Sequence, residues 1–134
     1  MAATKVEFRL ELKSGVPVYR QVMDQVLVAV ASGTLAPGDQ LPTVRQLAVD
    51  LSINPNTVVR AYKELEIRGF LMTQQGTGTF ITSQPVRRDE VQRQEKLSRM
   101  VADFVARAAS DGYSVAEIME RLSELSGDAA VQRS

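Results

Sequence analysis

The stretch Leu41 to Phe80, LPTVRQLAVDLSINPNTVVRAYKELEIRGFLMTQQGTGTF, contains two helix-start signals followed by a glycine-tipped loop. At its centre, Asn54-Pro55-Asn56-Thr57 predicts a helix start. Asn caps free N–H groups, and Pro is favoured at the first helical position, where its missing N–H costs nothing. Leu65-Glu66-Ile67-Arg68-Gly69 ends this helix. Val58, Ala61, Tyr62 and Leu65 fall on one side at 3.6 residues per turn, and Asn56, Arg60 and Lys63 on the other. Ile67 also falls on the polar stripe, and is expected to pack at the helix end.

Just upstream, Pro42-Thr43 predicts another start, with Thr43 as cap and Val44, Leu47, Ala48 and Leu51 spaced to face a core. Arg45 is left in the first turn, while Gln46, Val49 and Asp50 are expected to be merely exposed. Downstream, Phe70 to Thr73 and Thr79 to Thr82 flank Gln74-Gln75-Gly76-Thr77-Gly78, whose glycines permit the positive φ of short hairpin loops. Two helices across a tight turn and then a hairpin make a winged helix-turn-helix.

That order of elements gives the polar stripe a chemical meaning. Asn pairs bidentately with adenine edges and Arg with guanine edges, so such a row near a helix N-terminus suits the major groove of DNA. A helix N-terminus also donates N–H groups to phosphate, and an Arg in the first turn adds a charged contact. Taken by itself the stripe would be an ordinary solvated face; the preceding helix and the hairpin argue for readout. The tip at Gln75-Gly76-Thr77 either enters the minor groove or is simply a turn.

Val16-Pro17-Val18-Tyr19-Arg20-Gln21, Ser32-Gly33-Thr34-Leu35-Ala36-Pro37-Gly38-Asp39-Gln40-Leu41-Pro42-Thr43-Val44-Arg45-Gln46-Leu47-Ala48, Asn54-Pro55-Asn56-Thr57-Val58, Tyr62, Leu65-Glu66 and Gly69-Phe70-Leu71 together resemble the DNA-binding domain of GntR-family bacterial transcription regulators. The resemblance covers roughly residues 8–83, and the short remainder is similar to the YtrA subfamily, in which a helical pair replaces a large effector domain. It implies DNA contacts from Arg45, Asn54, Asn56, Thr57 and the wing at Gln75-Gly76-Thr77. Better-known branches carry Arg where this chain has Pro55 and Val59, which shifts weight onto Asn56 and Arg60. With Thr43 and Lys63 these residues form the candidate DNA-binding set.

The 134 residues, 44% hydrophobic, suffice for one domain and an appendage. With no Cys and no His, zinc sites of those ligands, thiol chemistry and His-dependent triads are excluded, and no constellation supports an enzyme or a cofactor. Gly76-Thr77-Gly78-Thr79 lacks the Lys and the following helix of a phosphate-binding loop. No apolar run suggests a membrane span and no signal peptide is evident, so the expected location is the cytoplasm, with no membrane partner. The 16 basic residues balance 16 acidic ones, so any DNA footprint is local, built on Arg45, Arg60 and Lys63.

Val6 to Leu12 alternates, with Phe8, Leu10 and Leu12 on one face, as a short strand or a docked extended arm. Val16-Pro17 opens a scaffold helix that reaches Ser32 and is closed by Gly33, with Tyr19, Val22, Met23, Val26, Leu27 and Val30 on its apolar face. The expected core comprises Val22, Val26, Leu27, Leu47, Leu51, Val58, Leu65 and Phe80. The pattern breaks at Ser83-Gln84-Pro85, dividing the chain into a DNA-binding domain over 1–84 and a helical dimerisation unit over 85–134.

In the second unit a charged stretch from Arg87 to Lys96 leads to Leu97, Val101, Phe104 and Ala108 at heptad-like spacing. Asp111-Gly112 interrupts, and the capping box Ser114-Val115-Ala116-Glu117 restarts a helix carrying Val115, Ile118, Met119, Leu122 and Leu125. Helices of about 25 and 12 residues, with a frayed tail after Gly127, cover one another only partly, so Leu97, Val101, Phe104, Ala108, Ile118 and Leu122 are expected to meet a second copy; the alternative is that the hairpin folds back on its own winged domain. The fold class is α+β, mainly α. The expected function is a homodimeric repressor on a palindromic operator of double-stranded DNA; the resemblance implies control of a transporter operon and of the regulator itself. The alternative is a winged-helix protein-interaction module without DNA. A small-molecule effector would bind between the two units, near Phe104 and Tyr113.

Overall fold

The computed structural model describes the backbone of residues 6–83 and 89–133, with side chains up to residue 126. The chain divides into two compact units, Met1–Gln84 and Pro85–Ser134. The expected break at Gln84-Pro85 and the start of the charged stretch at Arg87 lie outside the described residues.

In the first unit, helix α1 (Val18–Ser32) is followed by strand β1 (Gln40–Leu41), helices α2 (Val44–Leu51) and α3 (Pro55–Ile67), and strands β2 (Leu71–Gln74) and β3 (Gly78–Ile81). Helix α1 ends on Gly33, whose φ of 83° is left-handed and whose N–H donates to the Val30 carbonyl. Val22, Val26, Val58 and Leu65 have no exposed surface, and with Met23, Leu41, Leu47, Ala61, Leu71 and Ile81 they join three helices and the sheet in one core. Truncating a side chain as enclosed as Leu65 to Ala costs about 2–5 kcal/mol, a large share of a small domain's stability.

The turn between α2 and α3 is tight because Ser52 takes a left-handed φ of 56°, the single non-glycine residue with positive φ among those described. Its N–H and that of Ile53 return to α2 carbonyls, so the helix end is satisfied although no glycine marks it. The Tyr62 hydroxyl then ties α3 to the start of α2 by donating to the Pro42 carbonyl at 2.7 Å.

The sheet has the order β1-β3-β2, all antiparallel, and β1 is a strand that the sequence pattern does not announce. The register pairs Leu71 with Ile81 and Met72 with Phe80. Alternation then turns Leu71 and Ile81 inward and Phe80 to the other face beside Met72 and Gln40. Phe80 is therefore only partly buried, and Ile81 takes the core position expected of it. Since side chains alternate, an offset of one residue in the expected strand changes its face.

Two further expectations, for Leu12 and Ile67, are corrected, and the arm takes the second of its two expected forms. Leu12 is 78% exposed, and the arm packs on the core through Val6, Phe8 and Leu10 instead. The arm is extended but pairs with no strand; side-chain amides on α1 substitute for one. Gln25 accepts from the Arg9 N–H at 2.9 Å and donates to the Arg9 carbonyl at 2.7 Å. Gln21, one turn earlier, does the same for Glu11 at 2.8 and 3.0 Å. Ile67 is 71% exposed and does not pack at the helix end.

The second unit is an α-hairpin of α4 (Glu90–Ser110) and α5 (Val115–Arg133). Asp89 caps α4 by accepting from the Gln92 N–H, and Ser114 and Glu117 cap α5 reciprocally at 3.1 Å. The helices have 21 and 19 residues rather than about 25 and 12, because α5 continues through Gly127 to Arg133. One glycine in a helix interior costs only about 1 kcal/mol relative to Ala, too little to end it.

Candidate nucleic-acid interface

Helix α3 begins with the sequence-read cap: the Asn54 side-chain oxygen accepts from the Asn56 N–H at 2.8 Å, with Pro55 in the first turn. The cap occupies the oxygen of Asn54 and leaves its amide donors free. Thr43 caps α2 in the same manner, accepting from the Gln46 N–H at 3.0 Å. Both residues therefore shape the surface as well as belonging to it.

Asn56, Arg60 and Lys63 are exposed on the side of α3 opposite the buried Val58, Ala61, Tyr62 and Leu65, as the helical spacing predicts. Arg45 is exposed in the first turn of α2, and Thr57 is half-buried. None of Arg45, Arg60 and Lys63 forms a salt bridge among the described residues, so their charges are not neutralised by a neighbouring carboxylate.

Asn54, Asn56, Thr57 and Arg60 line one depression of about 280 Å3 together with Val18 and Tyr19 of α1. The Arg60 guanidinium carbon lies 3.8 Å from the centroid of the Tyr19 ring. Sequence reasoning assigned Tyr19 to packing and so missed this neighbour; alternation on one helix carries no signal for a contact between two.

The hairpin tip is exposed at Gln75, Gly76 and Thr77. The Thr77 N–H donates to the Gln74 carbonyl at 2.9 Å and Gly76 has φ of 81°, which a turn of this kind needs at its third residue. Gln40 of β1 donates to the Thr77 carbonyl at 3.1 Å, and Glu66 of α3 accepts from the Thr73 N–H at 3.3 Å. The tip is thus braced from both sides, and Gln40 is a second contributor that the sequence did not reveal. A Cβ on Gly78 would lie 2.3 Å from the Gln40 Nε2, so a side chain there would displace the brace.

In the hairpin unit α4 has no buried residue. Leu97, Val101, Phe104 and Leu122 are 50%, 52%, 50% and 55% exposed, while Ala108 and Ile118 are partly covered. Phe104, Tyr113, Ile118 and Leu122 line a cleft of about 360 Å3 within this unit.

The profile of the family described as "Bacterial regulatory proteins, gntR family" matches residues 18–81. An uncharacterized HTH-type transcriptional regulator of Bacillus subtilis (strain 168), YhcF, is 37% identical over 111 residues, covering 82% of this chain and 90% of that protein. The HTH-type transcriptional repressor YtrA of the same organism is 34% identical over 124 residues, covering 90% of this chain and 92% of that protein. The chain belongs to the GntR family. Within that family it is YtrA-like, since the similarity to YtrA extends over most of both chains. The crystal structure of a transcriptional antiterminator from Listeria monocytogenes EGD-e matches it at 28% identity with a TM-score of 0.68, covering 93% of each chain. GntR-family membership makes the chain a helix-turn-helix transcriptional regulator. Among the described residues no helix is long and apolar enough to cross a membrane, and no group of three or more Asp or Glu side chains could hold a metal ion.

Proposed function

We propose that this GntR-family regulator is a sequence-specific repressor that binds a palindromic operator as a homodimer. The supporting observation is the convergence of Asn54, Asn56, Thr57 and Arg60 on one depression at the start of α3, in a unit that also carries a braced wing. Asn56 and Arg60 have the donor and acceptor patterns that read adenine and guanine edges. Arg45 and Lys63 flank them as phosphate contacts, and the exposed α2 N-terminus supplies N–H groups, whereas those at the start of α3 are already taken by Asn54.

The dimer reading rests on the hairpin unit. Half-exposed Leu97, Val101, Phe104 and Leu122 form a stripe along a unit in which no described residue is buried, and a second copy would bury it. Two-fold symmetry of the protein then corresponds to inverted half-sites in the operator. Repression follows from occupying promoter DNA, in keeping with the repressor function named for the YtrA relative. The targets proposed on the strength of the resemblance are a transporter operon and the regulator's own gene.

A salt titration of binding to duplex DNA tests this reading against a role as a protein-interaction module. Affinity for a selected operator should fall steeply with salt, as expected when several phosphates are contacted, and should exceed that for scrambled duplex by about 10³-fold or more. Equal, weak affinity for every duplex would overturn it.

A further inference from the structure

Tyr19 lies in the first turn of α1 and is only partly buried at the edge of the core. A guanidinium carbon 3.8 Å from a ring centroid is against the π face, where the ring's quadrupole attracts a cation. Packing alone would be served equally well by an aliphatic side chain. The ring also forms part of the wall of the depression that holds Asn54, Asn56 and Thr57, so it borders the reading surface.

Arg60 makes no hydrogen bond or salt bridge among the described residues, so the π contact leaves its N–H donors available. A long Arg side chain ordinarily loses much rotamer freedom when it binds, and a contact that fixes it beforehand removes part of that cost. We propose that Tyr19 is a positioning residue for base recognition: its ring holds the Arg60 guanidinium so that the planar donor edge meets a guanine in each half-site. The proposal rests on the reading of α3 as the DNA-reading helix. It extends the recognition surface from the helix-turn-helix to the scaffold helix, and makes the pair, rather than Arg60 alone, the unit that sets preference at that base pair.

The test uses the full chain and an operator obtained by selection from random duplexes. Affinity is measured for that operator and for each single-base variant, with the wild type, Arg60→Ala, Tyr19→Phe, Tyr19→Met and the double variant Tyr19→Met with Arg60→Ala. Tyr19→Phe keeps the π face and should leave preference unchanged. Tyr19→Met should weaken operator binding by about two- to fivefold, the size of an exposed cation–π contact, and only at the base pair where Arg60→Ala removes discrimination. The double variant should be no worse than Arg60→Ala, and the salt dependence of Tyr19→Met should match the wild type, since no phosphate contact is lost.

A separate measurement on the wild type needs no variant to fold: the side-chain protons of Arg60 should be shifted upfield by the ring current of Tyr19. Normal Arg60 shifts, additive effects in the double variant, or a uniform loss over all sequences with Tyr19→Met would each overturn the proposal. If the wild type selects no sequence at all, the DNA-reading assignment fails with it. Selection by the wild type combined with normal Arg60 shifts rejects the positioning role alone.

Discussion

The Tyr62 hydroxyl donates to the Pro42 carbonyl at 2.7 Å, across the interior of the helix-turn-helix. It fixes α3 against the start of α2, so the two N-termini that border the interface are held by one buried bond. Burial pushes the Tyr62 phenol well above its ordinary value. The native state therefore keeps a proton that the unfolded chain loses near pH 10, and stability falls as pH rises beyond that point. The slope from this one group is at most about 1.4 kcal/mol per pH unit. Tyr62→Phe should cost about 1–3 kcal/mol at neutral pH, because the Pro42 carbonyl is left unpaired. It should also remove this group's share of the alkaline loss. Denaturant unfolding from neutrality to about pH 11 measures both, and an unchanged alkaline slope in the variant would contradict the assignment.

Arg60→Ala should weaken operator binding by about 1–3 kcal/mol and flatten preference at one base pair per half-site. Competition binding against single-base variants of the operator checks this. Equal affinity for operator and scrambled DNA, before and after the substitution, would rule out base reading by Arg60.

Replacing Gly76 and Gly78 by Val should disturb the wing without disturbing the hairpin unit. Their φ values of 81° and 140° are rarely adopted by residues with a Cβ, and at Gly78 the added carbon also meets Gln40. DNA affinity should fall while sedimentation still reports a dimer. An unchanged affinity would mean that the wing does not touch DNA.

A chain ending at Gln84 should stay folded, since Val22, Val26, Val58 and Leu65 are enclosed within Met1–Gln84. It should sediment as a monomer. Linking two reading heads raises the local concentration of the second, so the full chain should bind paired half-sites about 10²–10⁴-fold more tightly than the truncated one. A truncated chain with full paired-site affinity would place dimerisation elsewhere.

The sequence exposed what depends on local chemistry. Asn54 and Thr43 were legible as caps because capping requires a short polar side chain beside its own helix. The faces of α3 followed from its 3.6-residue period, and the capping box at Ser114 and Glu117 announced α5. What was not legible depends on contacts between segments distant in the chain. Gln40 braces Thr77 and Gln25 holds Arg9, and glutamine has no positional preference that would signal either. Ser52 closes α2 in a conformation usually left to glycine, so no glycine marks the end of α2. Periodicity places Tyr19 on the apolar face of α1 and says no more; only the arrangement of α1 beside α3 reveals Arg60 over its ring.

The central claim is that two copies of this chain read two inverted half-sites through α3. Selection of bound sequences from a random duplex pool by the full-length protein tests it most directly. The account predicts enrichment of an inverted repeat whose half-sites are centred about 10 bp apart, or a multiple of that, and lie on one face of the duplex. A pool that stays random after successive rounds, or that converges on a single unrepeated half-site, would contradict it.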